Sequence, residues 1–309
     1  MLSSLIIGIF FTSRLLQPDL LIGPLAAEVT TEHQVEIVPA ISLKPEIYRS
    51  PAPAKISQSL GIETTAHSAL VFDPASQSLL FQKNVEEVRP IASLTKLMTA
   101  LVFLESNPNF GQEAELTAAD QVEGGNLELK DGEHLIVGDL FHASLVGSAN
   151  NATKALARLS GKSEESFIAT MNQRAKDLGL SHTKFVDVTG LSSGNVSTAL
   201  EIAQLANYAF NNSFISEATS LPEYLFEPIG SRRVVTITNT NKLFESFVRM
   251  TGSKTGFTNE AGNCLVVRTD DGQGHKVILV VLGSENSESR FQEIKGLITW
   301  TFENWRWSI

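Results

Sequence analysis

The sequence predicts an α+β fold in which helices flank an antiparallel sheet built from both ends of the chain. Two observations carry this expectation: strand patterns come first and last, and helical periodicity fills the stretch between. After Gly61, "SALVFDPASQSLLFQKN" reads as a strand, an Asp73-Pro74-Ala75-Ser76 turn and a second strand, hence a hairpin. From Ser93, Leu94, Leu97, Met98, Leu101 and Val102 recur at helical spacing. A second amphipathic helix is expected around Val137–Leu145, and another from "SEESFIATMNQRAKDLGL", ended by Gly179. "STALEIAQLANYAF" gives a further helix capped by Ser197 or Thr198. Strands return in "RRVVTITNTN", "SKTGFT" and "NCLVVRTDDGQGHKVILVVLGS", the last broken by an Asp271-Gly272 turn. The closing "SRFQEIKGLITWTFENW" is an amphipathic helix.

Residues 1–27 hold the apolar run "LIIGIFF", interrupted afterwards by Arg14, Gln17, Pro18 and Asp19. They read as an export signal or membrane anchor, the competing reading being a helix packed on the domain. Residues 28–60 lack periodicity and carry Pro39, Pro45, Pro51 and Pro53, which suggests a linker. The remaining 61–309 form the globular part. No run reaches the ~18 apolar residues of a membrane span. The net charge of −10 and the lack of a basic stripe argue against nucleic acid. The single cysteine, Cys264, lies in an apolar strand pattern and reads as a small buried residue. Six scattered histidines offer no metal-ligand spacing, so neither a metal nor another cofactor is expected.

Three short motifs carry the chemistry. Ser93-Leu94-Thr95-Lys96 opens one helical run, Ser148-Ala149-Asn150 opens another, and Lys254-Thr255-Gly256 lies on a strand pattern. Each is weak alone. Ser181-His182-Thr183-Lys184 also reads Ser-x-x-Lys, and Ser193-Gly194-Asn195 and Ser284-Glu285-Asn286 also read Ser-x-Asn. Context separates them: Ser93 sits at a helix start, with Lys96 one turn on and the positive end of the helix dipole nearby. Ser181 precedes an extended pattern, and Ser193 lies in a turn. The order Ser-x-x-Lys, Ser-x-Asn, Lys-Thr-Gly is the signature shared by penicillin-binding proteins and serine β-lactamases.

With "KFVDVTGLSSGNVSTALEIA", "NTNKLF" and the final helix, the chain resembles the D-alanyl-D-alanine carboxypeptidases, the low-molecular-mass penicillin-binding proteins. The resemblance spans about residues 63–306. It implies a penicillin-binding/β-lactamase-like sheet with a helical region beside it and the active site along one sheet edge. It also implies a substrate, the D-Ala-D-Ala end of a peptidoglycan stem peptide, and β-lactam antibiotics as covalent inhibitors. The expected location is outside the cytoplasmic membrane, in the periplasm, secreted, or held to the membrane through the N-terminus.

A serine hydroxyl needs a base, and Lys96 is placed to supply one to Ser93 if burial and the nearby Lys254 lower its pKa. Ser148 would relay a proton to the leaving amine, and Asn150 would orient Lys96 or hold the substrate amide. Helix capping is the competing reading for these residues. Lys254 and Thr255 would bind the terminal carboxylate, Lys254 as a cation. Gly256 would keep the strand open to a peptide. The backbone N–H groups of Ser93 and Phe257 would form an oxyanion hole. By resemblance alone, Arg290 assists the carboxylate. The same residues would serve an endopeptidase cutting cross-links, which the sequence does not separate from a carboxypeptidase. A class A β-lactamase would need a deacylating glutamate. The stretch "SHTKFVDVTGLSS" holds none, and Glu164 and Glu165 come too early. A non-catalytic sensor of β-lactams or cell wall would need neither Lys96 nor Ser148.

Overall fold

Alternating burial on two sides of one sheet organises the domain. The computed structural model describes residues 50–130, 133–246 and 248–308. The signal-or-anchor segment and residues 28–49 of the proposed linker lie outside the described residues. The strands are β1 (Ala54–Lys55), β2 (Ser68–Asp73), β3 (Ser78–Lys83), β4 (Arg89–Pro90), β5 (Glu113–Ala114), β6 (Leu135–Ile136) and β7 (Val196–Ser197). They continue with β8 (Glu223–Phe226), β9 (Val235–Thr238), β10 (Met250–Thr258), β11 (Gly262–Asp270), β12 (Lys276–Ser284) and β13 (Trp305–Arg306). The α-helices are α1 (Lys96–Leu104), α2 (Val137–Leu145), α3 (Asn150–Leu159), α4 (Glu164–Asp177), α5 (Ala199–Phe210), α6 (Ser213–Thr219) and α7 (Ser287–Asn304).

The main sheet is antiparallel throughout, in the order β10-β11-β12-β2-β3. The β12–β2 pairing joins the C-terminal strands to the N-terminal hairpin, as the sequence pattern led one to expect. Both faces are covered, which is why "VILVVL" in β12 is a continuous apolar run rather than an alternating one. Val71, Leu265, Val267 and Leu279 face Phe291, Ile294 and Leu297 of α7. Leu70, Val266, Ile278 and Val280 face the helical region, including Ile202 and Ala206 of α5. Helix α1 is buried almost all round, so its single lysine, Lys96, is inside the protein. Among the described residues β10 pairs only with β11, so it forms one edge of the sheet.

Helix starts follow elementary capping. Ser163 accepts from the Ser166 N–H at 3.2 Å, Thr198 from Glu201 at 3.1 Å, and Asn286 from Ser289 at 2.8 Å. The folded body begins earlier than Gly61. β1 pairs with β13, the Ile56 N–H donates to Asn304 at 2.9 Å, and the Trp300 indole donates to Ser59 Oγ at 2.7 Å. Pro51 and Pro53 therefore precede a docked strand, and residues 54–59 contact α7 and the chain end. No helix among the described residues is long and apolar enough to cross a membrane.

Removing residues 50–60 from a chain that otherwise starts at Ser50 should lower stability by roughly 2–4 kcal/mol, at about 1 kcal/mol per lost hydrogen bond. The melting temperature should fall by roughly 5–10 °C. Equal melting of the two truncations would show that this docked segment contributes nothing.

Candidate active site

The three motifs converge on one polar cavity of about 340 Å³ whose walls include Ser93, Ser148, Asn150, Thr240, Thr255 and Arg290. Ser93 does not open an α-helix. It lies in a 3-10 turn, Ala92–Thr95, that leads into α1, and its side chain caps nothing. Being in the first turn, its N–H has no partner within the helix. The preceding Ala92 is in the left-handed region at φ 47°, and Ser148 is there too at φ 59°. Such positions cost on the order of 1–3 kcal/mol for residues other than glycine and gather at functional sites. Neither Ser148 nor Asn150 caps α3, so the competing capping reading fails for both.

Lys96 is fully buried. Its Nζ lies 2.9 Å from Ser93 Oγ, 2.7 Å from Asn150 Oδ1 and 2.8 Å from the Thr189 carbonyl oxygen. Two of these three partners can only accept. A neutral amine has two hydrogens and one lone pair. Giving both hydrogens to Asn150 and Thr189 leaves the lone pair for the Ser93 hydroxyl. Burial pushes the Lys96 pKa down to about 7, with the Asp187 carboxylate opposing the shift. Repulsion between Lys96 and Lys254 acts in the same direction, lowering the Lys254 pKa.

Lys254 is also buried, at 2% exposure, and its Nζ lies 2.9 Å from Ser148 Oγ and 3.2 Å from its neighbour's carbonyl, Thr255 O. Burial first, then Lys96 and Arg290, push its pKa well below the ordinary lysine range. These surroundings oppose the charge that the sequence led one to expect on Lys254. A carboxylate bound beside it would act in the opposite sense. Thr255 Oγ1 lies 2.5 Å from Thr240 Oγ1. Arg290, on α7, donates from Nη1 to the Gly256 carbonyl at 3.0 Å and the Cys264 carbonyl at 3.4 Å, and from Nη2 to Ser287 Oγ at 3.2 Å. Its Nε has no partner among the described residues. Cys264 is buried, as its strand pattern implied, and burial pushes its thiol up to about 11.

Gly256 has a different reason from the one the sequence suggested. A Cβ there would lie 3.0 Å from the Ile91 carbonyl oxygen and 3.1 Å from Ser93 N. The glycine lets the serine-bearing turn press against the sheet edge, which brings the Ser93 N–H beside the strand that carries Phe257. The Phe257 side chain is 58% exposed at the cavity mouth.

The segment 185–195 carries two residues, Asp187 and Asn195, whose support of the site has no motif signal in the sequence. Asp187 accepts the Thr189, Gly190 and Ser192 N–H groups at 2.6–2.7 Å. This folds the loop so that Thr189 O reaches Lys96. Asn195 Oδ1 accepts from Val186 and Asp187, while its Nδ2 donates to Thr95 Oγ1 at 3.1 Å, tying the loop to the serine-bearing turn. Asn195 belongs to the decoy Ser-x-Asn motif, and only its burial reveals this support. The other decoys stay apart: Ser181 contacts His182 and Glu201, and Lys184 is exposed.

The D-alanyl-D-alanine carboxypeptidase family matches residues 53–286. The chain is 32% identical over 264 residues to a D-alanyl-D-alanine endopeptidase of Pseudomonas aeruginosa, covering 84% of each chain. It is 30% identical over 251 residues to the D-alanyl-D-alanine carboxypeptidase DacF of Bacillus subtilis, covering 78% of this chain and 63% of the relative. Among solved structures, the Streptomyces K15 DD-transpeptidase superposes with a TM-score of 0.74 at 26% identity, covering 79% of this chain and 99% of the other. Penicillin-binding protein D2 of Listeria monocytogenes, in its cefotaxime-bound form, gives 0.69 at 31% identity over 77% and 98%.

Gly190, at φ 90°, faces Ala92 so closely that a Cβ would collide with the Ala92 carbonyl. Gly161 has a similar φ of 78° with open space around it. Gly161→Ala should therefore cost only about 1 kcal/mol of backbone strain. Gly190→Ala should cost about 2–4 kcal/mol, because backbone must move. Denaturant titration of the two variants checks the difference, and equal losses would contradict the contact.

Proposed function

The chain belongs to the D-alanyl-D-alanine carboxypeptidase family, and on that premise we propose that Ser93 is the nucleophile of this serine DD-peptidase and Lys96 its general base. The observation that carries the assignment is the set of partners around Lys96 Nζ. Two obligate acceptors hold its hydrogens, and the lone pair is left for the Ser93 hydroxyl. Lys96 takes the hydroxyl proton as Ser93 Oγ attacks the carbonyl of the penultimate D-alanine. The oxyanion is received by the Ser93 and Phe257 N–H groups. Thr255, Lys254 and Arg290 hold the carboxylate of the leaving residue. Ser148, hydrogen-bonded to Lys254 at 2.9 Å, passes a proton to the leaving nitrogen. Water then hydrolyses the ester. A β-lactam acylates the same serine, and its amine stays attached after ring opening.

The substrate is a peptidoglycan stem peptide ending in D-Ala-D-Ala, with D-alanine as leaving group. The endopeptidase reading has its own support: the endopeptidases of Pseudomonas aeruginosa and Escherichia coli are matched over 84% and 77% of their lengths, against 60–64% for the carboxypeptidases DacF, DacC, DacA and DacD. We also infer export, with residues 1–27 as signal or anchor, since the polymer lies outside the membrane. A reporter fused after residue 60 that works only in the cytosol would overturn this.

Labelled penicillin should attach covalently to the wild type and not to Ser93→Ala; label found on Ser181 would remove the assignment. The acylation rate should rise about tenfold per pH unit up to about 7 and level off above it. Below that value Lys96 carries a third hydrogen aimed at Ser93, and above it the lone pair is free. A limb that continued to the free-lysine value of ~10.4 would mean the base is not a buried lysine. Lys96→Arg cannot deprotonate and should lose on the order of 10²–10⁴ in acylation rate. Lys254→Arg should lose roughly tenfold, because a cationic carboxylate anchor survives. Equal tolerance of the two changes would place the base elsewhere.

A further inference from the structure

A second cavity, of about 410 Å³, adjoins the catalytic one and shares Gly147 with it. One wall is β9; the other is Asn126–Glu128; Ala143, Gly147 and Ala149 form the floor. Both walls continue into the catalytic cavity. Gly124 and Gly125 line that cavity and run directly into Asn126. On the other side, β9 leads through Asn239 to Thr240, whose hydroxyl meets Thr255. The groove thus opens at Ser148, which sits between two of its floor residues, and beside Thr255. In the reading above, these are the residues that hold the leaving group: Ser148 its nitrogen, Thr255 its carboxylate.

We propose that this groove is the subsite for the leaving peptide, and that it takes the second, extended stem peptide of a cross-link. The inference rests on the roles proposed for Ser148 and Thr255. Released D-alanine ends at the carboxylate anchor and would leave the groove unused, whereas a cross-linked leaving group must continue past it. The groove has features suited to an extended chain. Among the described residues β9 is paired only on its β8 side, which leaves the backbone donors and acceptors of its second edge for strand addition. Its inward residues Val235 and Ile237 are buried, and a Cβ on Gly147 would lie 2.6 Å from Ile237 Cγ2, so strand and floor are packed together. Its outward residues Thr236 and Thr238 are exposed along the groove. At the far end, Arg233 donates from Nε and Nη2 to the Glu133 carboxylate at 3.1 and 2.5 Å, which fixes the start of β9.

The test compares two substrates of the full chain: a D-Ala-D-Ala pentapeptide, followed by D-alanine release, and a cross-linked peptide dimer, followed by cleavage at the cross-link. Thr236→Trp and Thr238→Trp place a large ring in the groove from exposed positions. Each should lower the ratio of cross-link cleavage to D-alanine release at least tenfold. An unchanged ratio would overturn the proposal. A second readout needs no variant: the amino-peptide freed from the cross-link should inhibit dimer cleavage by the wild type in a saturable way, and lack of inhibition would count against the groove. Penicillin acylation separates the two levels of inference. A wild type that acylates and releases D-alanine but leaves the dimer intact refutes the groove alone. A wild type that does not acylate refutes the role of Ser93 itself.

Discussion

The site depends on a lysine amine sealed inside the protein. A buried ammonium ion is costly unless it is paired, and Lys96 has no carboxylate within hydrogen-bond distance among the described residues. The fold resolves this by offering two carbonyl oxygens and a hydroxyl, a set that matches a neutral amine. Three separate pieces of chain contribute: the serine-bearing turn, the start of α3 through Asn150, and the 187–190 loop through Thr189. The burial that makes the charged form expensive also makes the neutral form a base. Asp187 acts in the opposite sense, so the loop that supplies an acceptor also limits how far the basicity falls.

That arrangement explains the pressure on the backbone around it. Ala92 and Ser148 occupy left-handed conformations next to or at the two serines. Gly190 and Gly256 leave room for the serine-bearing turn on two sides, one from the loop and one from the sheet edge. β10 pairs with one neighbour only, and the turn covers part of its other edge at Gly256. What remains open along that edge is the catalytic cavity. An unpaired sheet edge is ordinarily an aggregation hazard; here part of it is covered and part lines the cavity.

Much of this was legible in the residues. The hairpin at one end, the long strands and helix at the other, and α2 at Val137–Leu145 followed from periodicity. The motif order singled out Ser93, Lys96, Ser148, Asn150 and Lys254, and the structure brings them together: Ser93, Ser148 and Asn150 line one cavity, and the buried amines of Lys96 and Lys254 are hydrogen-bonded to its two serines. The rest depended on tertiary context. Nothing in "FVDVTGLSSGN" announces that Asp187 and Asn195 organise the support beneath the serine, because their hydrogen bonds go to backbone and to Thr95. The prolines before residue 60 suggested a linker, since pairing of β1 with β13 is invisible to local patterns. The shift on Lys254 was not legible, because a motif shows neither burial nor the Lys96 and Arg290 groups beside it.

The register of β2 against β12 has a consequence for how the enzyme comes into being. Ser68 sits opposite Leu282, more than two hundred residues later. Closing so large a loop carries an entropy cost that local contacts do not repay, and such long-range pairing is slow to form. A chain emerging N-terminus first would hold Ser93 and Lys96 long before β10 and β12 were available to complete the cavity. The sheet-edge wall of the cavity, with Arg290 beside it, is therefore completed only after the residues that surround Lys96 have been synthesised.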